Sequence, residues 1–391
     1  MKKNRTVLCV DIGTSSLKAA AISSAGNVIC KVRKEIKDHK KTQSVSGKWL
    51  ESYEEARGEI LAFLGDPAFF FDAVCISGNG PSLVYADEKK IFQNTDELKN
   101  CPTLLWNDKI SFKAEEKIKE TENRLLKTNF KNTFSIYLPR IIAFKEMFPY
   151  SFSGKGMLLS GPEWLTFALT KKAFTFLPEE RFNNAYWTED LLLAAGFEKD
   201  EIKKLPPFTL SGNIIGKDSY GSPLVAGLPD FLAAMLGTSS VTEGSLFLRS
   251  GTSEGLNLCT KNPLRGEGIR TLPSPVKGLW NAGVLFQDTK ESPSSASSLE
   301  KFARGYKCLM EKAEEEAIPF SSTIKVCGGQ ANNLELMKKK EEELKKINPD
   351  VNLVPCRESD AELLGDAALA FKALGDFSDI KEASLFLGEK S

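Results

Sequence analysis

One local pattern occurs twice in this chain. Val7-Leu8-Cys9-Val10 runs into Asp11-Ile12-Gly13-Thr14-Ser15-Ser16 and returns as Leu17-Lys18-Ala19-Ala20-Ala21-Ile22. Far downstream, Leu246-Phe247-Leu248-Arg249 runs into Ser250-Gly251-Thr252-Ser253 and returns as Glu254-Gly255-Leu256-Asn257-Leu258. An apolar run, a Gly-Thr-Ser turn and a second apolar run read as strand, turn and strand. The two turns lie 238 residues apart. A second pair repeats the offset: Ala73-Val74-Cys75-Ile76-Ser77-Gly78-Asn79-Gly80 and Ile324-Lys325-Val326-Cys327-Gly328-Gly329-Gln330-Ala331 are both apolar strands running into glycine turns, about 250 residues apart. Two matched pairs at similar spacing predict two related halves facing each other.

The segments between these strands carry helical spacing. Ala56, Ile60, Leu61 and Leu64 place apolar side chains on one face of a helix starting near Leu50, and residues 110–210 read as mostly helical, including 139–148 and 162–169. Strands alternating with helices predict an α/β layered fold. A chain of 391 residues is long enough for two or three domains. Leu205-Pro206-Pro207 and Ser211-Gly212-Asn213 mark the break, which divides the chain into domains 1–217 and 218–391. Residues 291–298 read as a Ser-rich surface loop and Lys338–Lys346 as an amphipathic helix with a solvated charged face.

Composition removes several classes of function. The chain has one histidine, His39, in a charged run that reads as solvated surface. Histidine-based triads and multi-histidine metal sites are therefore excluded, and proton transfer must fall to carboxylates. Lys plus Arg and Asp plus Glu both number 52, which leaves no excess positive charge for a nucleic-acid backbone. The eight cysteines form no Cys-x-x-Cys pair, a pattern that suits a reducing, cytoplasmic setting, and no apolar run is long enough for a membrane span.

The repeated turns offer backbone N–H groups and hydroxyls, the donors that suit phosphate oxygens. Asp11 just before the first turn supplies a carboxylate suited to Mg²⁺, directly or through water. No Walker sequence is present. Pro223–Ala234 reads as strand, turn and helix, with Asp230 at the junction. Asp230 suits either an N-cap or a general base, and the local sequence leaves both open.

With these residues in place, the chain resembles the FGGY carbohydrate kinases. Asp11-Ile12-Gly13-Thr14-Ser15-Ser16-Leu17-Lys18 is similar to that family's first phosphate loop and Ser250-Gly251-Thr252-Ser253 to its second. Cys101-Pro102-Thr103-Leu104-Leu105-Trp106-Asn107-Asp108 resembles the xylulokinase-like segment lining the sugar site, and Val225–Asp230 the approach to the catalytic aspartate. Cys327–Asn333 resembles the adenosine turn and Ala361–Ala370 the closing helix. The resemblance implies two ribonuclease-H-like domains of the actin-like ATPase fold around a central cleft. It implies ATP and Mg²⁺ as cofactors and phosphorylation of a sugar or polyol, a xylulose-like ketose favoured, with a homodimer left open. By the same carry-over Asp230 is the general base; Asp11, Gly13, Thr14, Ser15, Lys18, Gly251, Thr252 and Ser253 face the phosphates, with Asp11 toward Mg²⁺. Gly328, Gly329, Gln330 and Asn333 hold adenosine, and Asn79, Trp106, Asn107, Asp108 and Asp230 the sugar.

Three positions depart from that pattern. Leu228-Pro229 precede Asp230 where the family usually has a glycine pair, and Phe231 follows it. Gly78–Ser82 lacks the Met-His pair of xylulokinases. About 45 residues separate Asn281-Ala282-Gly283 from Gly328, far fewer than in typical members, so the second domain reads as trimmed. These departures motivate an alternative function: a weakened or inactive relative that binds sugar or nucleotide as a sensor or partner subunit.

Overall fold

A computed structural model describes residues 4–36, 45–87, 100–130, 135–251, 254–286 and 292–390. His39, Thr252 and Ser253 lie outside the described residues. The chain divides into two compact units, the first holding Val28–Asp230 with the strands before Ser24, the second running from Phe231 and grouped with the short Ser24–Asn27 turn. That division falls later than the expected boundary at 217, and the reason is strand pairing: Pro223–Pro229 lies parallel to Ala73–Gly78 and so belongs to the first sheet.

The first unit is built on a six-stranded sheet. Its strands are β1 (Thr6–Ile12), β2 (Ser16–Ser23), β3 (Val28–Glu35), β4 (Ala73–Gly78), β5 (Ile214–Lys217) and β6 (Pro223–Pro229), in the order β5-β6-β4-β1-β2-β3. The central strands β1 and β4 are apolar and buried, as strands covered on both faces must be. At the edge, β3 alternates exposed Lys31, Arg33 and Glu35 with half-buried residues, so its free backbone edge is flanked by charge. Helix α1 (Val45–Leu64) buries Trp49, Tyr53, Ala56 and Ile60 at helical spacing within the core of this sheet. Trp164 of α3 (Gly161–Thr170) joins it, its ring centroid 6.3 Å from that of Trp49. Full burial of each such side chain contributes roughly 1.5–3 kcal/mol. Helix α2 (Leu138–Met147) precedes α3.

The second unit repeats this plan. Its strands are β7 (Leu246–Arg249), β8 (Glu254–Thr260), β9 (Arg270–Pro273), β10 (Trp280–Phe286), β11 (Thr323–Cys327) and β12 (Asn352–Pro355), in the order β9-β10-β8-β7-β11-β12. In the first sheet β1 is antiparallel to β2 and parallel to β4; in the second, β7 is antiparallel to β8 and parallel to β11. Five strands of each sheet follow one topology, β3-β2-β1-β4-β6 matching β10-β8-β7-β11-β12. The repeat read from two Gly-Thr-Ser strings is thus a repeat of whole sheets. Helices α4 (Asp230–Gly237), α5 (Ala296–Glu315), α6 (Leu334–Lys345) and α7 (Ala361–Ala373) accompany the second sheet.

Two expectations need correction. The Ser-rich stretch is not all loop: Ser295 accepts a hydrogen bond from the Ser298 N–H and starts α5. Helix α6 does not keep all its charges in solvent, because Lys340 is 1% exposed.

Candidate active site

Parallel strands bring their carboxyl ends together, and this gathers the first group of site residues. Ile12 at the end of β1 pairs with Gly78 at the end of β4, and Gly78 with Pro229 at the end of β6. Asp11, Asn79 and Asp230, distant in sequence, therefore lie at the carboxyl ends of three adjacent parallel strands, the side on which open α/β sheets bind ligands. Asp11 is 2% exposed, and its Oδ2 lies 3.2 Å from Lys18 Nζ, its cross-strand neighbour on β2. Lys18, expected at the phosphates, thus forms an ion pair with Asp11.

The first turn is closed by the Gly13 N–H donating to the Ser16 carbonyl at 2.8 Å. Thr14 forms its hub. Its Oγ1 accepts from Trp106 Nε1 at 3.0 Å and from Asn79 Nδ2 at 3.3 Å. Ser82 adds a second tie, donating from Oγ to Asn79 Oδ1 and accepting from the Trp106 N–H at 3.1 Å. The expected phosphate turn and the expected sugar segment are therefore one hydrogen-bonded assembly. Ser15 is exposed on the turn, and its carbonyl accepts from Ile36 N–H. Asn107 and Asp108 are exposed; Asp108 Oδ2 accepts the Leu105 N–H at 2.8 Å and shapes its own turn.

Beside this assembly lies a small recess lined by Asn79, Gly80, Tyr137, Glu163, Phe176 and Pro229. Tyr137, Glu163 and Ser82 were not singled out from sequence. Glu163 is buried at the start of α3, where its carboxylate accepts the Ser160 and Phe176 N–H groups at 2.7 Å each. Burial pushes its carboxyl up to about 7, against the pull of those N–H donors. The signal for it was present: Ser160-Gly161-Pro162-Glu163 is a capping box with an early proline. Burial also raises the Tyr137 hydroxyl well above its ordinary value, and the charges of Glu163 and Asp230 add to that rise.

In the second unit the equivalent strand ends hold the other group. Gly328 has φ of +93°, and a Cβ there would lie 2.4 Å from the Ser250 carbonyl oxygen. Only glycine permits this close approach. It sets the 328–330 turn against Ser250, with the Gln330 N–H donating to the Ser250 carbonyl at 3.0 Å. A cavity of about 1000 Å³ opens next to these turns, lined by Gly251, Glu254, Ile269, Phe286, Arg304 and Gln330 among others. That volume and mixed lining suit a small organic ligand. Of the expected adenosine residues, Gln330 lines this cavity. Gly329 is exposed, and Asn333 is engaged as the N-cap of α6, accepting the Leu336 N–H at 3.1 Å.

Comparison with solved structures identifies the fold as that of the two-domain sugar kinases, the actin-like ATPase fold. Glycerol kinase from Plasmodium falciparum, solved with ADP, aligns over 98% of this chain and 92% of its own, with a TM-score of 0.76 at 13% identity. A xylulose kinase from Brucella ovis aligns over 97% and 92%, with a TM-score of 0.74 at 14% identity. Gluconate kinase from Lactobacillus acidophilus aligns over 98% and 92%, with a TM-score of 0.70 at 15% identity. No family model and no curated protein matches the sequence. Among the described residues no helix is long and apolar enough to cross a membrane.

Proposed function

We propose that this protein is an ATP-dependent carbohydrate kinase that phosphorylates a hydroxyl of a sugar or polyol, with a xylulose-like ketose as the favoured acceptor. The observation that carries this reading is the placement of Asp11, Asn79 and Asp230 at the carboxyl ends of adjacent parallel strands, tied to the Gly13–Thr14 turn, in a fold shared with sugar kinases. In this reading the first unit holds the acceptor near Asn79, Trp106 and Asp230. Asp230 takes the proton as the hydroxyl oxygen attacks the γ-phosphorus, and the bond from phosphorus to the ADP oxygen breaks. The second unit holds the nucleotide, its base in the cavity beside Gln330 and its phosphates at the Ser250–Gly251 turn. Such chemistry depends on positioning and charge stabilisation and needs no histidine.

Mg²⁺ fits the residues present. Asp11 offers a buried hard oxygen donor, and Mg²⁺ characteristically combines one or two carboxylates with phosphate oxygens. Among the described residues no group of three or more His, Cys, Asp or Glu could hold a metal alone, so the nucleotide would supply the other ligands. When bound, the ion neutralises phosphate charge.

The Asp11–Lys18 ion pair favours a second reading, a sugar- or nucleotide-binding relative without turnover, because the ammonium already neutralises the carboxylate. Thermal-shift titration separates these readings from an unrelated function. MgADP at 100 times its Kd should stabilise the protein by about 2.7 kcal/mol, and the absence of any shift with nucleotide or sugar would remove both. A shift with nucleotide but no acceptor-dependent ADP release across ketoses, polyols and aldonates would leave the second reading.

A further inference from the structure

A lysine is sealed into the second unit directly behind the turn that the kinase reading assigns to phosphate. Lys340 of α6 is 1% exposed. Its Nζ donates to Ser250 Oγ at 3.1 Å and forms an ion pair with Glu254 Oε1. The ammonium also lies over the Phe302 ring, Nζ being 5.3 Å from its centroid. Ser250 ends the approach to the turn and Glu254 begins the strand leaving it, so one ammonium clasps both sides.

The clasp extends to the cavity. Ser250 Oγ lies 3.1 Å from Glu254 Oε1 and 3.0 Å from Gln330 Oε1. A hydroxyl has one proton and can satisfy only one of these acceptors at a time. Lys340, with three protons, holds Ser250 and Glu254 whichever acceptor the hydroxyl serves. Glu254 and Gln330 both line the 1000 Å³ cavity. A buried ammonium is retained only when paired and hydrogen-bonded, so its position is set by these partners and sets theirs in turn.

We propose that Lys340 is a positioning residue for nucleotide binding: it fixes Ser250, Glu254 and Gln330 so that these residues and the cavity wall they line keep one geometry. The proposal rests on the kinase reading for the identity of the ligand, but the clasp itself is testable without it. Charged groups in helix α6 read as solvated from sequence, and Lys340 is the member of that run which turns inward.

The test compares wild type, Lys340→Met and the charge-balanced double variant Lys340→Met/Glu254→Gln, which guards against a folding defect from an unpaired Glu254. Amide hydrogen exchange is followed at Ser250 and Gln330, whose N–H groups bond to the Cys327 and Ser250 carbonyls. MgADP affinity is measured by calorimetry. Exchange at these amides should quicken about tenfold in both variants while protection of the β1–β4 amides is unchanged. MgADP affinity should fall about tenfold, the scale on which loss of a supporting contact is felt, and the KM for the acceptor should stay within about twofold. Unchanged exchange in the double variant, or unchanged MgADP affinity where wild type binds, overturns the role of Lys340. If wild type binds no nucleotide, the kinase reading fails, and exchange alone then decides whether the clasp holds the turn.

Discussion

Thr14 joins the expected phosphate turn to the expected sugar segment, and that junction can be measured. Thr14→Val preserves side-chain shape but removes the acceptor used by both Trp106 Nε1 and Asn79 Nδ2. Asn79 is 3% exposed, so its stranded donor should cost about 1–3 kcal/mol, while half-buried Trp106 can recruit water and should cost about 0.5–1.5 kcal/mol. The sum, about 1.5–4.5 kcal/mol, corresponds to a fall in the melting temperature of the first unit of roughly 3–18 °C. A double-mutant cycle with Trp106→Phe isolates the indole bond, because the shape change of the ring cancels between the two arms. The coupling should be about 0.5–1.5 kcal/mol by denaturant unfolding followed by tryptophan fluorescence. If the two substitutions add within about 0.3 kcal/mol, the bond does not hold the turn to the segment and the hub is wrong.

Three further outcomes follow from particular residues. Glu163 is raised by burial from 4.5 to about 7, so the folded state binds a proton that the unfolded state releases between those values. Its contribution is complete below pH 4.5 and lost as pH rises through 7, a decline of roughly 3 kcal/mol that Glu163→Gln should flatten in denaturant titrations across that window. Gly365 packs α7 against α4, where an added Cβ would sit 2.0 Å from the Ala233 carbonyl oxygen. Gly365→Ala should therefore destabilise the second unit by about 1–3 kcal/mol or more, and an unchanged melting temperature would contradict that packing. If the kinase reading holds, Asn79→Ala should raise the KM for the acceptor more than that for ATP in steady-state assays, since that reading assigns Asn79 to the acceptor.

Much of the architecture was legible because the informative signals were local. The apolar runs before Gly13 and Gly251 are buried strands, and their turn residues recur because the same strand ends recur in both sheets. Asp11, Asn79 and Asp230 could be chosen individually, but their common placement depends on β1, β4 and β6 lying parallel in one sheet, which no local pattern encodes. The Pro/Gly-rich stretch puts the break at residue 217, whereas the pairing of β6 with β4, which no local composition encodes, ties residues up to Pro229 to the first sheet. Lys340 was hidden for a related reason: in Lys338-Lys339-Lys340 only the helix phase decides which ammonium faces inward, and the pairing partner, Glu254, is 86 residues away. Tyr137 carries no motif at all; packing against Tyr186 and Trp187 places it.

The central claim is phosphoryl transfer with Asp230 as the base, and the most direct measurement is acceptor-dependent ADP release from MgATP by wild type and Asp230→Asn. Wild type should turn over with at least one ketose or polyol, and kcat should fall about 10²–10⁴-fold in the variant, with the melting temperature little changed. Equal turnover by the two proteins, or none by wild type with any acceptor, would contradict that claim.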